Sequence, residues 1–100
     1  MKFNQEKFEI LRKVGKKPSY SQRELATELN ISVGKINYIL NELKKKGLVK
    51  ISNFKKNKNK TNYFYLLTPK GIANKSKLTI KFMKLKMQEY DELKKEINEE

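Results

Sequence analysis

Apolar residues recur at helical spacing in four stretches of this chain, and between the third and fourth the pattern changes to that of strands. Phe8, Ile10, Leu11 and Val14 predict a first helix over residues 4–14, ended by Gly15 and Pro18, with 16–20 as a loop. Ser21-Gln22-Arg23-Glu24 is a capping box, in which the serine takes the N3 amide and the glutamate reaches back. It opens a second helix whose Leu25, Ala26 and Leu29 face inward. Asn30-Ile31 is a tight turn: asparagine tolerates the left-handed conformation, and Ile31 fills the angle between two helices.

The third helix runs from Ser32 to Gly47. Its opening, Ser32-Val33-Gly34-Lys35, shows no evident cap, and a Lys-Lys-Lys-Gly run stops it. With Val33 at zero, Ile36, Ile39, Leu40 and Leu43 fall between about 240° and 340° and form one buried stripe. Gly34, Tyr38, Asn41 and Lys45 fall between about 80° and 140°, an exposed face of small, polar and basic groups flanked by Lys35 and Asn37.

Leu48–Ile51 and Tyr63–Leu67 have strand composition. Between them lies a Lys/Asn-rich tip, so the pair reads as a β-hairpin with a basic wing at 53–62. A two-stranded hairpin is marginal alone and must pack on the helices. Thr68 as N-cap and Pro69 at the first helical position start a last helix that no breaker interrupts after Gly71, to about residue 97. Ile72, Thr79, Ile80, Phe82, Met83, Met87, Tyr90, Leu93 and Ile97 lie near one line along it. Nothing else in the chain remains to cover its far half, which points to a second copy of the same helix. The expected fold class is mainly α with a small β-hairpin: a winged helix-turn-helix domain over 1–68 and a long dimerising helix over 69–100.

Composition sharpens the picture. The chain has 100 residues, no Cys and no His, and 24 Lys+Arg against 11 Asp+Glu. The absent thiol and imidazole remove the thiolate nucleophile, the commonest general base and the commonest zinc ligands, and the acids sit on solvent-type helix positions beside lysines, so neither an enzyme, a metal site nor a cofactor is expected. No apolar run reaches the ~18 residues of a membrane span, and the N-terminus has no hydrophobic signal core; a cytoplasmic protein is expected. The net charge of +13 calls for an anionic partner. A Lys/Asn/Ile bias also arises in AT-rich genomes, but the charge is unevenly placed. Residues 1–77 hold 19 cations and 5 anions; residues 78–100 hold 5 and 6. Basicity is confined to the part that reads as a helix-turn-helix, and the acidic end of the last helix argues against anionic lipid.

The predicted chemistry is therefore recognition of double-stranded DNA. A major groove admits an α-helix, whose N-terminal residues reach base edges. Asn37 and Asn41 suit adenine through a bidentate amide, Lys35 guanine or phosphate, and Tyr38 a phosphate. Gly34 lets backbone approach DNA. Lys35 stands in the first helical turn, where a cation opposes the helix dipole, and a phosphate there would reverse the sign. Lys55, Lys56, Lys58 and Lys60 of the wing suit phosphate neutralisation. Ser21, Gln22, Arg23, Ser32 and Lys45 complete the candidate DNA contacts. Two other classes fit less well. One is a protein–protein module built on the last helix. The other is an RNA-binding winged helix, for which exposed aromatics to stack on bases are few.

These residues carry a family likeness. Ser21–Ala26, Ser32–Tyr38, Lys46–Lys50, Asn53-Phe54, Asn59-Lys60, Tyr63 and Tyr65–Ile72 resemble the small MarR-type regulators associated with bacterial exopolysaccharide gene clusters, over residues 8–97. The resemblance implies a homodimeric winged-helix transcription factor on a palindromic operator. Its DNA contacts would run through Ser32, Gly34, Lys35, Asn37, Tyr38 and the wing. Larger MarR proteins often bind phenolic ligands at the dimer crevice; this chain is shorter, and no effector is assigned to it. The wing has lysines where an arginine would be needed for an arginine contact in the minor groove.

Overall fold

The computed structural model describes residues 3–16, 20–53 and 63–99. The elements follow in the order α1 (Phe3–Lys16), α2 (Gln22–Leu29), α3 (Val33–Lys45), β1 (Val49–Asn53), β2 (Tyr63–Leu67) and α4 (Pro69–Glu99). The two strands pair antiparallel, with Val49 opposite Leu67 and Asn53 opposite Tyr63. The loop at 17–19 and the wing tip at 54–62, with Lys55, Lys56, Lys58 and Lys60, lie outside the described residues.

The predicted stripes become the core. Ile36, Ile39, Leu40 and Leu43 of α3 are buried and meet Ile10, Leu11 and Val14 of α1, Leu25 and Ala26 of α2, and Leu48, Val49 and Tyr65 from the hairpin. Leu29 and Ile31 close the edge of this cluster. Ser21 caps α2 through the Glu24 amide (3.2 Å), while the Glu24 carboxylate meets the serine hydroxyl. Asn30 takes the left-handed conformation (φ 55°) that the tight turn requires. Tyr20, buried at the entrance to α2, donates its hydroxyl to Glu28 at 2.6 Å. That bond, aided by burial, raises the tyrosine above its ordinary pKa.

Three local expectations change. Gly15 does not end α1; it lies in the last turn, where an added Cβ would come within 3.1 Å of both Leu67 Cδ1 and Lys75 Nζ. Its missing side chain serves packing, not termination. Ser32 does cap α3, accepting the Lys35 amide at 3.2 Å, as serine at this position commonly does. β1 begins at Val49 and extends to Asn53, because Leu48 completes the end of α3 instead. The Leu48 amide returns to the Leu43 carbonyl and the Gly47 amide to Lys44, around Gly47 at φ 73°.

That turn seats the long helix. The Thr68 amide donates to the Leu48 carbonyl, and the Thr68 hydroxyl donates to the Gly47 carbonyl. The Gly71 amide donates to the Thr68 hydroxyl oxygen at 2.9 Å, which makes Thr68 the N-cap of α4. Further along α4, Leu78 packs on the core and Phe82 stacks on Phe8 of α1, with ring centroids 4.7 Å apart. Beyond Phe82 the helix leaves its own head: Met87, Tyr90, Leu93 and Ile97 are exposed, Ile97 by 71%.

Candidate nucleic-acid interface

The junction of α2 and α3 positions the candidate interface. The Ile31 amide bonds the Ala26 carbonyl at 3.1 Å across the turn. With Leu25 and Ala26 against the buried stripe of α3, that bond sets the angle between the helices. The stripe fixes what the other side of α3 shows: Gly34, Asn37, Tyr38, Asn41 and Lys45 are all exposed, Tyr38 by 60%. Lys35 and Ser32 border this face, and Arg23 is exposed on α2. Of the α2 and α3 residues predicted for DNA, Arg23, Ser32, Gly34, Lys35, Asn37, Tyr38, Asn41 and Lys45 are exposed and Ser21 and Gln22 half-buried, and Gln22 joins α2 to α3 through Asn37. The wing lysines lie outside the described residues.

Two side chains of this surface are engaged in ways the sequence pattern did not reveal. Lys35 already has a counter-charge. Its Nζ lies 2.9 Å from Oε1 of Glu6, whose side chain is almost wholly buried on α1. The contact is one of charge rather than a directed hydrogen bond, since no donor meets that oxygen at hydrogen-bonding geometry. The cost of a cation in the first turn is thus offset within the chain, with no phosphate required. Asn37 is likewise engaged. Its Oδ1 accepts from Gln22 Nε2 at 2.8 Å and, more weakly, from Asn41 Nδ2 at 3.5 Å. Adenine recognition by a bidentate amide uses that oxygen, which in this arrangement is already engaged by Gln22. Sequence reasoning missed Glu6 and Tyr65; the hydroxyl of Tyr65 accepts the second Gln22 proton at 2.9 Å.

Gly34 shows the opposite relation. A Cβ built there meets nothing within 4 Å. The fold makes no demand for glycine at this point, and alanine would favour the helix. Gly34→Ala is expected to raise unfolding stability by roughly 0.5–1 kcal/mol. If the backbone here approaches DNA, the same change should weaken duplex binding. Thermal melts and duplex titrations of one variant read both signs.

Two lysines at this surface are ion-paired within the chain, Lys35 with Glu6 and Lys45 with Glu42 at 3.6 Å. Burial, and the nearby charge of Lys46, hold the Lys7 ammonium below the usual lysine range. Among the described residues no group of His, Cys, Asp or Glu is placed to hold a metal ion. No helix among them is long and apolar enough to cross a membrane.

Comparison with known proteins places this geometry. Residues 5–50 match the family model described as winged helix-turn-helix DNA-binding. No curated protein matches the chain in sequence. Among solved structures, the transcriptional regulator BldR from Sulfolobus solfataricus superposes with a TM-score of 0.79 at 22% identity, over 87% of this chain and 60% of that one. A MarR family transcription regulator gives 0.74 at 23% identity, over 87% and 56%. FabT of Streptococcus pneumoniae, solved in complex with DNA, gives 0.67 at 21% identity, over 86% and 58%. The chain thus spans somewhat more than half the length of the regulators it resembles. The fold is a winged helix-turn-helix with a long C-terminal helix, the arrangement of MarR-family structures.

Proposed function

We propose that this protein is a homodimeric, sequence-specific double-stranded DNA-binding transcriptional regulator. The observation that carries the reading is the two-sided α3. One side is wholly buried, and the other presents Gly34, Asn37, Tyr38, Asn41 and Lys45 on a head with strong positive charge. The α3 helix enters the major groove, and the wing at 53–62 runs along backbone or minor groove. Residues 1–68 form the DNA-binding head and 69–100 the dimerising helix. The winged helix-turn-helix match over 5–50 and the likeness to regulators, one of them solved with DNA, support this reading. The finer assignment, control of exopolysaccharide genes, rests on the sequence blocks alone.

The partner on α4 is a second copy, lying antiparallel. Residues 70–86 carry six lysines and no acid, whereas 89–99 carry five acids and two lysines. Parallel pairing would set like charges side by side; antiparallel pairing sets the basic half of each helix against the acidic half of the other. It also brings the partner's far apolar residues onto a groove of about 460 Å³ between α1 and α4, walled by Phe8, Arg12, Thr79, Phe82, Met83 and Met87. Thr79 and Phe82 are partly covered by their own head, so Ile72, Ile80, Met83, Met87, Tyr90, Leu93 and Ile97 remain for the partner. Paired heads should fit a palindrome with half-sites about 10–10.5 bp apart.

Selection of bound duplexes from a random pool tests the function directly: a palindromic consensus is expected, and binding without sequence preference would overturn the specific-regulator reading. Replacing Lys55, Lys56, Lys58 and Lys60 by Gln should weaken specific and non-specific duplexes alike. It should also flatten the plot of log K against log salt by up to ~0.9 per lost phosphate contact. An unchanged slope would remove the wing from the interface.

A further inference from the structure

We infer that Tyr65 is a positioning residue for base recognition, and that Asn37 meets DNA as a hydrogen-bond donor only. The inference rests on the reading of α3 as the recognition helix. It follows from how three elements share one small polar network. Gln22, in the first turn of α2, has two amide protons. One goes to Asn37 Oδ1 at 2.8 Å and the other to the Tyr65 hydroxyl at 2.9 Å. Tyr65 is part of the core cluster, so its hydroxyl is a fixed acceptor at the head surface. Anchored there, Gln22 is held against α3. Asn41 Nδ2 approaches the same Asn37 oxygen at 3.5 Å. A carbonyl oxygen offers two acceptor directions; Gln22 fills one, and the Asn41 amide stands near the other at the outer limit of hydrogen-bonding distance.

What Asn37 can then present is its NH₂ group. In the major groove a donor finds partners at guanine O6 and N7, thymine O4 and adenine N7, and is opposed by the cytosine N4 amino group. The position under Asn37 should therefore tolerate adenine, guanine and thymine and disfavour cytosine. The two-point adenine contact becomes possible only when the oxygen is released. Tyr65 thus limits the reading of a base it does not touch.

Base preference in duplexes selected by the wild type, Gln22→Ala and Tyr65→Phe tests this. Gln22→Ala frees the Asn37 oxygen, and a shift toward adenine at one position per half-site is expected, by roughly 5- to 150-fold over guanine. Tyr65→Phe keeps the ring in the core and removes only the hydroxyl, so it should move the same position in the same direction. A purely structural tyrosine would change stability and leave base preference alone. A wild type that already demands adenine there, lost in Asn37→Ala and unmoved in Tyr65→Phe, would overturn the inference. The side-chain NH₂ resonances of Gln22 and Asn37 supply an arm without DNA. Both should shift in Tyr65→Phe, and unchanged resonances would overturn the network itself. If those resonances shift but no duplex binds, the network stands, while the DNA reading and its consequence for base choice fall together.

Discussion

Gly71→Ala is expected to cost about 3 kcal/mol or more, a large share of the ~5–15 kcal/mol that holds a domain together. An alanine Cβ at this point would lie 1.9 Å from the Leu48 carbonyl oxygen and 2.9 Å from its carbon. Both obstacles are backbone, so no rotamer change relieves them. The same carbonyl accepts the Thr68 amide, and Thr68 in turn caps α4 and bonds Gly47. Moving Leu48 away therefore breaks the seat of the long helix. Intrinsic helix propensity favours alanine over glycine by about 0.8–1.0 kcal/mol, so the clash must overcome a gain to show a loss. Gly34→Ala is the matched control: the same chemical change, in a helix, with open space around it. At about 4–8 °C per kcal/mol for a domain of this size, the two melting temperatures should move in opposite directions, Gly71→Ala downward by over 10 °C. A Gly71→Ala melt equal to that of the wild type would show that α4 can detach from the Gly47-Leu48 turn at little cost.

Met83→Glu with Tyr90→Glu is expected to convert a dimer into monomers while leaving the head folded. Met83 and Tyr90 are exposed by 57% and 65%, so the substitutions remove little from the core of one chain. In the proposed antiparallel pair they introduce four carboxylates along the contact, two from each helix. Sedimentation should report the change of mass, and the melting of the head should stay close to the wild type. Loss of the second head removes the effective concentration gained by linkage, so specific affinity should fall by roughly 10²–10⁴. Wild-type protein that sediments as a monomer at micromolar concentration would end the dimer proposal. A dimer that survives the double substitution would move the interface elsewhere on α4 or onto the head.

The sequence by itself determined the elements and the faces they bury. Periodicity marks which side of α3 is apolar, and Ile36, Ile39, Leu40 and Leu43 are indeed its buried residues. Local chemistry marks helix ends, because a cap or a left-handed turn is satisfied within a few residues: Ser21, Asn30 and Thr68 all behave as their types require. The net positive charge of residues 1–77, against a near-neutral 78–100, was equally legible. What only the tertiary structure decided are contacts between elements far apart in the chain. Glu6 reaches Lys35, Gln22 reaches Tyr65, and Phe8 reaches Phe82. Gly15 and Gly71 are explained by Leu67 and by the Leu48 backbone. A hydrophobic period states that a face must be covered, but not by which residue. A polar side chain on a surface stripe looks the same whether it is solvated or held by a partner 43 positions away. For Asn37 that difference decides whether the amide has one hand or two to offer a base, and it emerges only when α2, α3 and β2 are packed together.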